Sequence, residues 1–263
     1  MLMPACAASA AFVPSRPAPV GTKRPALVLK APSVRVSHGA AYSWVRRAPG
    51  SGQIEAIGIT FSESMLSHLP TPKEIKSEMP MEGWVLAVPK AIKGMPYDHI
   101  EIDWNPLGHP PAGIYDKPHF DFHFYTIPPK LQDSITVTGN GLKRCMKKPP
   151  ARFVPPGYIL PPGTAFPNMG VHWVNPATAP EVRGGTFMST LIFGSYDGRM
   201  AFWEPMVTLK YLLSKQNHTQ KLAEAKSFAQ SGYYPTSYSV SYDAKAHSYT
   251  VALEGLEYHR ASK

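Results

Sequence analysis

Two short stretches alternate polar with apolar residues without a break. They are His99-Ile100-Glu101-Ile102-Asp103-Trp104 and His119-Phe120-Asp121-Phe122-His123-Phe124-Tyr125. A period of two is the signature of β-strand, in which successive side chains point to opposite faces. Ile100, Ile102 and Trp104 form one face of the first stretch, and Phe120, Phe122 and Phe124 one face of the second. These faces must be core. The other faces carry His99, Glu101 and Asp103, and His119, Asp121, His123 and Tyr125. The connection 105–118 is rich in proline and glycine, and if it lets the strands pair, both polar faces lie side by side. That requires an antiparallel sheet.

The rest of the chain fits such a sheet. Strands are expected at 40–46, 53–61, 84–88, 171–174, 187–194, 199–203, 237–242 and 249–253. Asp197-Gly198 between apolar runs is a hairpin signal. Short helices are expected at 62–69 and 207–215, with a helical turn at 130–135. The 29 prolines argue against a helical bundle. The reading is a single α+β domain over residues 36–263, mainly antiparallel β, with a strongly twisted sheet or barrel-like core and a few short helices.

The polar faces carry the chemistry. Solvent-facing strand positions usually hold Thr, Ser, Lys or Arg. Here successive outward positions are His, Glu, Asp, His, Asp, His. Neighbouring carboxylates repel unless they are protonated, bonded to histidine, or bridged by a cation. Imidazole and carboxylate are the standard ligands of zinc, iron and manganese. Strand residues two apart are about 6.6 Å apart, within reach of one ion, whereas four apart is about 13 Å. His119 and His123 therefore should not share a metal, while Asp121 could pair with either. A 2-His-1-carboxylate set drawn from His109, His123, His172 and Glu204 would suit non-haem iron or catalytic zinc. Asp121 or Glu101 could act as general base. His99, Asp103, His119, Tyr125 and Trp173 are candidates for the lining of a ligand pocket. His172 could equally be a hydrogen-bonded core histidine, and Glu204 could serve the dipole of the helix starting near 207.

Other chemistries find no support. The sequence has no Gly-x-Ser-x-Gly elbow, phosphate loop or dinucleotide fingerprint, so no nucleotide cofactor is expected. Tyr125, Tyr196 and Arg199 could orient an anionic substrate, and Trp203 could line a pocket, though core packing is the default. The two cysteines, Cys6 and Cys145, cannot make a disulfide framework, and Cys145 reads as structural. No apolar run approaches the roughly 18 residues of a membrane span.

The net charge of +9 is mostly N-terminal. Residues 1–54 carry seven basic residues and no acid. The near-neutral remainder argues against nucleic-acid binding. Residues 1–35 are rich in Ala, Pro, Ser and Val, and read as a disordered organelle-targeting peptide. Ala8-Ser9-Ala10-Ala11-Phe12-Val13-Pro14 resembles the junction of bipartite plastid presequences in algae. A plastid location is expected, with the mitochondrion as alternative.

The string from His99 to Tyr125 resembles the signature of an uncharacterised bacterial family. Its named representative is a Thermus thermophilus protein controlled by the extracytoplasmic sigma-E factor. Phe153-Val-Pro-Pro-Gly-Tyr158, Met169-Gly-Val-His-Trp173, Tyr196-Asp-Gly-Arg-Met200, Glu204-Pro-Met-Val-Thr208 and Gly232-Tyr-Tyr-Pro-Thr236 extend the resemblance over about 40–258. The family is a domain of unknown function, so the resemblance implies one α+β domain and a homo-oligomer, but no reaction. Taken together, the expectation is a soluble metal-binding protein, an enzyme on a small organic molecule. The alternative is a non-catalytic oligomeric ligand-binding or stress-response protein whose His/acid cluster is a structural polar network.

Overall fold

The computed structural model describes residues 26–77, 79–89 and 92–262. Its strands, in chain order, are β1 (Leu27–Lys30), β2 (Val34–Val36), β3 (Gly39–Arg47), β4 (Ile54–Ser62), β5 (Glu82–Ala87), β6 (His99–Asn105), β7 (His119–Tyr125), β8 (Ala165–Phe166), β9 (Gly170–Trp173), β10 (Ser189–Tyr196), β11 (Arg199–Thr208), β12 (His218–Lys221), β13 (Gly232–Tyr234), β14 (Ser237–Asp243), β15 (Ser248–Glu254) and β16 (Glu257–His259). They form two seven-stranded antiparallel sheets. One runs β1-β3-β4-β15-β14-β12, with β2 also on β3. The other runs β5-β6-β7-β11-β10-β9-β8 and curls strongly into a half-barrel. β13 and β16 pair separately.

The two alternating stretches are neighbours, the arrangement that the 105–118 connection had left open. β6 and β7 pair antiparallel along their whole length. Their apolar side chains face the first sheet. Phe61 of β4 stacks on Phe122 of β7, with ring centroids 5.8 Å apart, and on Tyr249 of β15 at 5.3 Å. All three rings are fully buried, and burying each aromatic stabilises the fold by roughly 1.5–3 kcal/mol. The Asp197-Gly198 turn joins β10 to β11 with φ of 47° and 78°, the positive pair that a tight hairpin turn demands.

The structure differs from the sequence reading in four places. The polar faces of β6 and β7 are not outward. The half-barrel curls over them, and His119, His123 and Asp103 have no solvent exposure. The expected helix at 207–215 is shorter. β11 continues to Thr208, whose Oγ1 accepts from the Tyr211 N–H and caps a helix over Leu209–Leu213. Glu204 therefore sits within a strand, five residues before the helix begins, and is not its N-cap. Lastly, strand pairing begins inside the stretch expected to be disordered, because β1 and β2 find open partners on β3. Residues 1–25, with most of the expected targeting peptide and Cys6, lie outside the described residues.

Candidate metal centre

Register brings the polar side chains together. Glu101 stands opposite His123, Asp103 opposite Asp121, and Asn105 opposite His119. On the other side of β7 lies β11, paired through Trp203–Phe124 and Met206–Asp121. Glu204 falls between those pairs, beside His123. The next residue, Pro205, has no N–H to give the ladder there. His172 of β9 stands opposite Gly194 of β10, which stands opposite Phe202 of β11. A Cβ on Gly194 would lie 2.2 Å from the Phe202 ring, so glycine makes the space that ring occupies. Phe202 in turn packs against His123 and His172, at 4.9 and 5.1 Å between centroids.

Two triads result. His123 Nε2 lies 3.5 Å from Glu204 Oε1, and His172 Nε2 lies 3.6 Å from Glu204 Oε2. His119 Nε2 lies 3.1 Å from Asp121 Oδ1, and His109 Nε2 lies 3.6 Å from Asp121 Oδ2. Within each triad the potential ligand atoms lie within 4.8 Å of one another.

The second ring nitrogens explain why these groups are more than salt bridges. The carbonyls of Pro110, Lys117 and Thr164 lie 2.8, 2.7 and 3.0 Å from Nδ1 of His109, His119 and His172. A carbonyl only accepts, so Nδ1 carries the hydrogen in all three. In its neutral form such a ring turns an Nε2 lone pair toward a carboxylate oxygen, which is itself an acceptor. Two acceptors cannot bond. Accordingly Nε2 of His119 and His123, Oδ1 of Asp121 and Oε2 of Glu204 are buried without hydrogen-bond partners. A proton or a cation between them resolves the conflict. Tying the far nitrogen to a carbonyl or carboxylate is how proteins orient metal-ligating histidines. His123 has the carboxylate version, with Nδ1 2.9 Å from Asp103 Oδ2. Gly83 makes room for that carboxylate, since a Cβ there would meet Asp103 Oδ1 at 2.7 Å.

Burial and mutual repulsion set the protonation. Burial raises the pKa values of Glu204 and Asp103, with nearby carboxylates adding to the rise. Burial also holds the His172 pKa down, to about 3, leaving a neutral imidazole. For His123 burial pulls down, but Glu204 and Asp103 outweigh it and lift the ring to about 10. Asp121 likewise outweighs burial at His109, lifting it to about 9. A cation entering either triad must therefore displace a proton, so binding strengthens as pH rises.

The remaining candidates surround the triads, with one exception. Gln132 bridges two of them: its Nε2 donates to Glu101 Oε2 at 2.7 Å, and its Oε1 lies 2.8 Å from His99 Nε2. Tyr125 stacks between His99 and His123. Trp173 lies elsewhere. It packs on Phe193 and donates to Ser195 Oγ, one strand position out of phase with His172. Tyr196, Arg199 and Trp203 line a separate open cleft of about 910 Å³. Sequence reasoning missed Asn105, whose Nδ2 donates to Asp121 Oδ2 at 2.8 Å, although it continues the alternation past Asp103. It also missed Gln132, which comes from a separate helical turn and leaves no periodic signal.

The fold and its site define an antiparallel β protein with a buried histidine–carboxylate face that could hold metal. Among the described residues no helix is long and apolar enough to cross a membrane. Residues 50–104 match the TTHB210-like family, described as hypothetical protein TTHB210. The match runs from the turn before β4 through His99, Glu101 and Asp103 on β6. No curated protein and no solved structure matches the chain.

Proposed function

We propose that this protein binds a divalent transition-metal ion, zinc, iron or manganese, between His123, His172 and Glu204, and acts as a metalloenzyme on a small organic molecule. One observation carries the reading: two imidazoles, each held at Nδ1, turn Nε2 toward a single buried carboxylate at 3.5 and 3.6 Å, where His123 Nε2 and Glu204 Oε2 have no hydrogen-bond partner. Such an ion supplies Lewis acidity to a bound water or substrate oxygen. Two histidines and one carboxylate leave coordination positions free for them. His172 and His109 keep 13% and 21% side-chain exposure, which puts the solvent side of the site at these two rings. Glu101, half-buried and held by Gln132, is the carboxylate placed to take a proton, being opposite His123 and outside both triads. The composition of residues 1–35 supports a plastid location, which microscopy of a C-terminally tagged chain would check.

The test is elemental analysis of the full chain, purified without a histidine tag or chelator, beside His172→Ala and Glu204→Gln. The proposal expects bound zinc, iron or manganese in the parent and loss from this site in both variants. A parent that takes up none of the three ions, even after incubation with each, would overturn it. The complete burial of His123 and Asp103 favours a structural polar network as the second reading. That reading expects His172→Ala to lose stability and change no metal content.

A further inference from the structure

We infer that the same face holds a second divalent cation, between His109, His119 and Asp121, so that the site is a two-metal centre. The inference extends the proposed metal at His123, His172 and Glu204, and rests on that reading for its chemistry but on different atoms for its evidence.

His119 Nε2 and Asp121 Oδ1 are both buried and lie 3.1 Å apart as an ion pair, without the alignment of a good hydrogen bond and with no other partner. His119 Nδ1 is committed to the Lys117 carbonyl, and His109 Nδ1 to the Pro110 carbonyl. Both rings therefore present Nε2 to Asp121, one to each oxygen. Asn105 donates to Oδ2 and fixes the carboxylate plane. The ring edges are held from outside: His109 meets His119 edge to face at 4.7 Å, and Phe187 closes the far side of His119 at 5.2 Å. This is the same construction as the first triad, built from different residues. A stiff loop supplies His109, and β7 supplies the other two.

The two triads are neighbours by strand geometry. Asp121 and His123 are two residues apart on one face of β7, so their Cα atoms are roughly 6.6 Å apart. Phe166 spans the solvent side, 6.1 Å from the His109 ring and 5.3 Å from the His172 ring. One wall therefore covers both triads. Each triad has one anionic ligand and two neutral ones, which is the donor set of zinc, iron or manganese rather than of calcium or magnesium. Two such cations on one face would engage one substrate through two of its oxygens.

The experiment is equilibrium dialysis of the full chain against Zn²⁺ at pH 7.5, with bound metal counted per chain. The proteins are the parent, Asp121→Asn, His109→Ala, Glu204→Gln and the Asp121→Asn/Glu204→Gln double variant. Near-ultraviolet circular dichroism confirms native packing, and His109→Ala, on a partly exposed loop residue, keeps the test open if Asp121→Asn fails to fold. The expected result is two equivalents in the parent, one in each single variant, and none in the double. One equivalent in the parent, kept by Asp121→Asn and His109→Ala and lost in Glu204→Gln, would overturn the second site and leave the first standing. One equivalent lost in every variant would mean a single shared ion and also overturn it. No zinc in the parent would overturn both.

Discussion

Asp103→Asn separates a metal site from a structural network, because the two readings give it opposite consequences. In the β6–β7 register Asp103 stands directly opposite Asp121. Directly opposed Cβ atoms are about 5 Å apart, and two carboxylates at that distance in an effective dielectric of about 20 repel by about 3 kcal/mol. Asn removes that repulsion and keeps an oxygen to accept the His123 Nδ1–H. Replacing a charged acceptor by a neutral one weakens that bond by about 1 kcal/mol. Losing the Asp103 charge beside the protonated His123 ring costs about as much again, since opposite charges about 4 Å apart attract by about 4 kcal/mol in the same dielectric, so the metal-free protein changes by no more than about 2 kcal/mol. Toward metal the effect is one-sided. The carboxylate that orients His123 and strengthens it as a donor is gone, which lowers affinity about 10- to 100-fold. Urea unfolding after exhaustive chelation measures the first effect, and a competition titration with a zinc-sensitive dye measures the second. A loss of more than about 2 kcal/mol in the metal-free variant with unchanged zinc affinity would refute the argument, since Asp103 would then serve only to fix the fold.

Gly194→Ala should lower stability by about 1–3 kcal/mol in urea titrations, because its Cβ overlaps the Phe202 ring. It should weaken zinc binding as well, since Phe202 braces both His123 and His172. Glu63 is held at about pKa 2, chiefly by Lys215, with Tyr242 assisting. A carboxyl depressed on folding adds stability above its ordinary pKa, near 4.5, and loses it as pH falls toward 2. Glu63→Gln should therefore show a smaller drop in urea midpoint between pH 5 and pH 3 than the parent does. Cys145 is buried and its thiol pushed up by burial, so in a Cys6→Ser background a thiol reagent should react only after unfolding.

The sequence made β6 and β7 legible because a period-two pattern with two unlike faces has few solutions, while their pairing stayed conditional on the 105–118 connection. It also showed that His119 and His123 must part company, since strand rise alone separates them. What it could not show was the sorting of ligands. His109 sits in the 105–118 loop, and whether it folds onto His119 or reaches His123 depends on loop conformation. His172 and Glu204 lie on strands whose adjacency to β7 is set by a sheet order, β7-β11-β10-β9, that no local pattern encodes. The polar face read as outward for a similar reason. Alternation distinguishes two faces of a strand, but only the curl of the whole sheet decides that both are covered.

That double burial has a consequence for how the chain finds its pairing. Most half-buried strands are held in phase by one greasy side, and a slipped partner merely exposes some oil to water. β7 has no tolerant side. A shift of one residue would thrust Phe120, Phe122 and Phe124 among the carboxylates, and drive His119, Asp121 and His123 against Phe61 and the first sheet. Both errors are penalised at once, so β7 acts as a key cut on both edges that turns in one phase only.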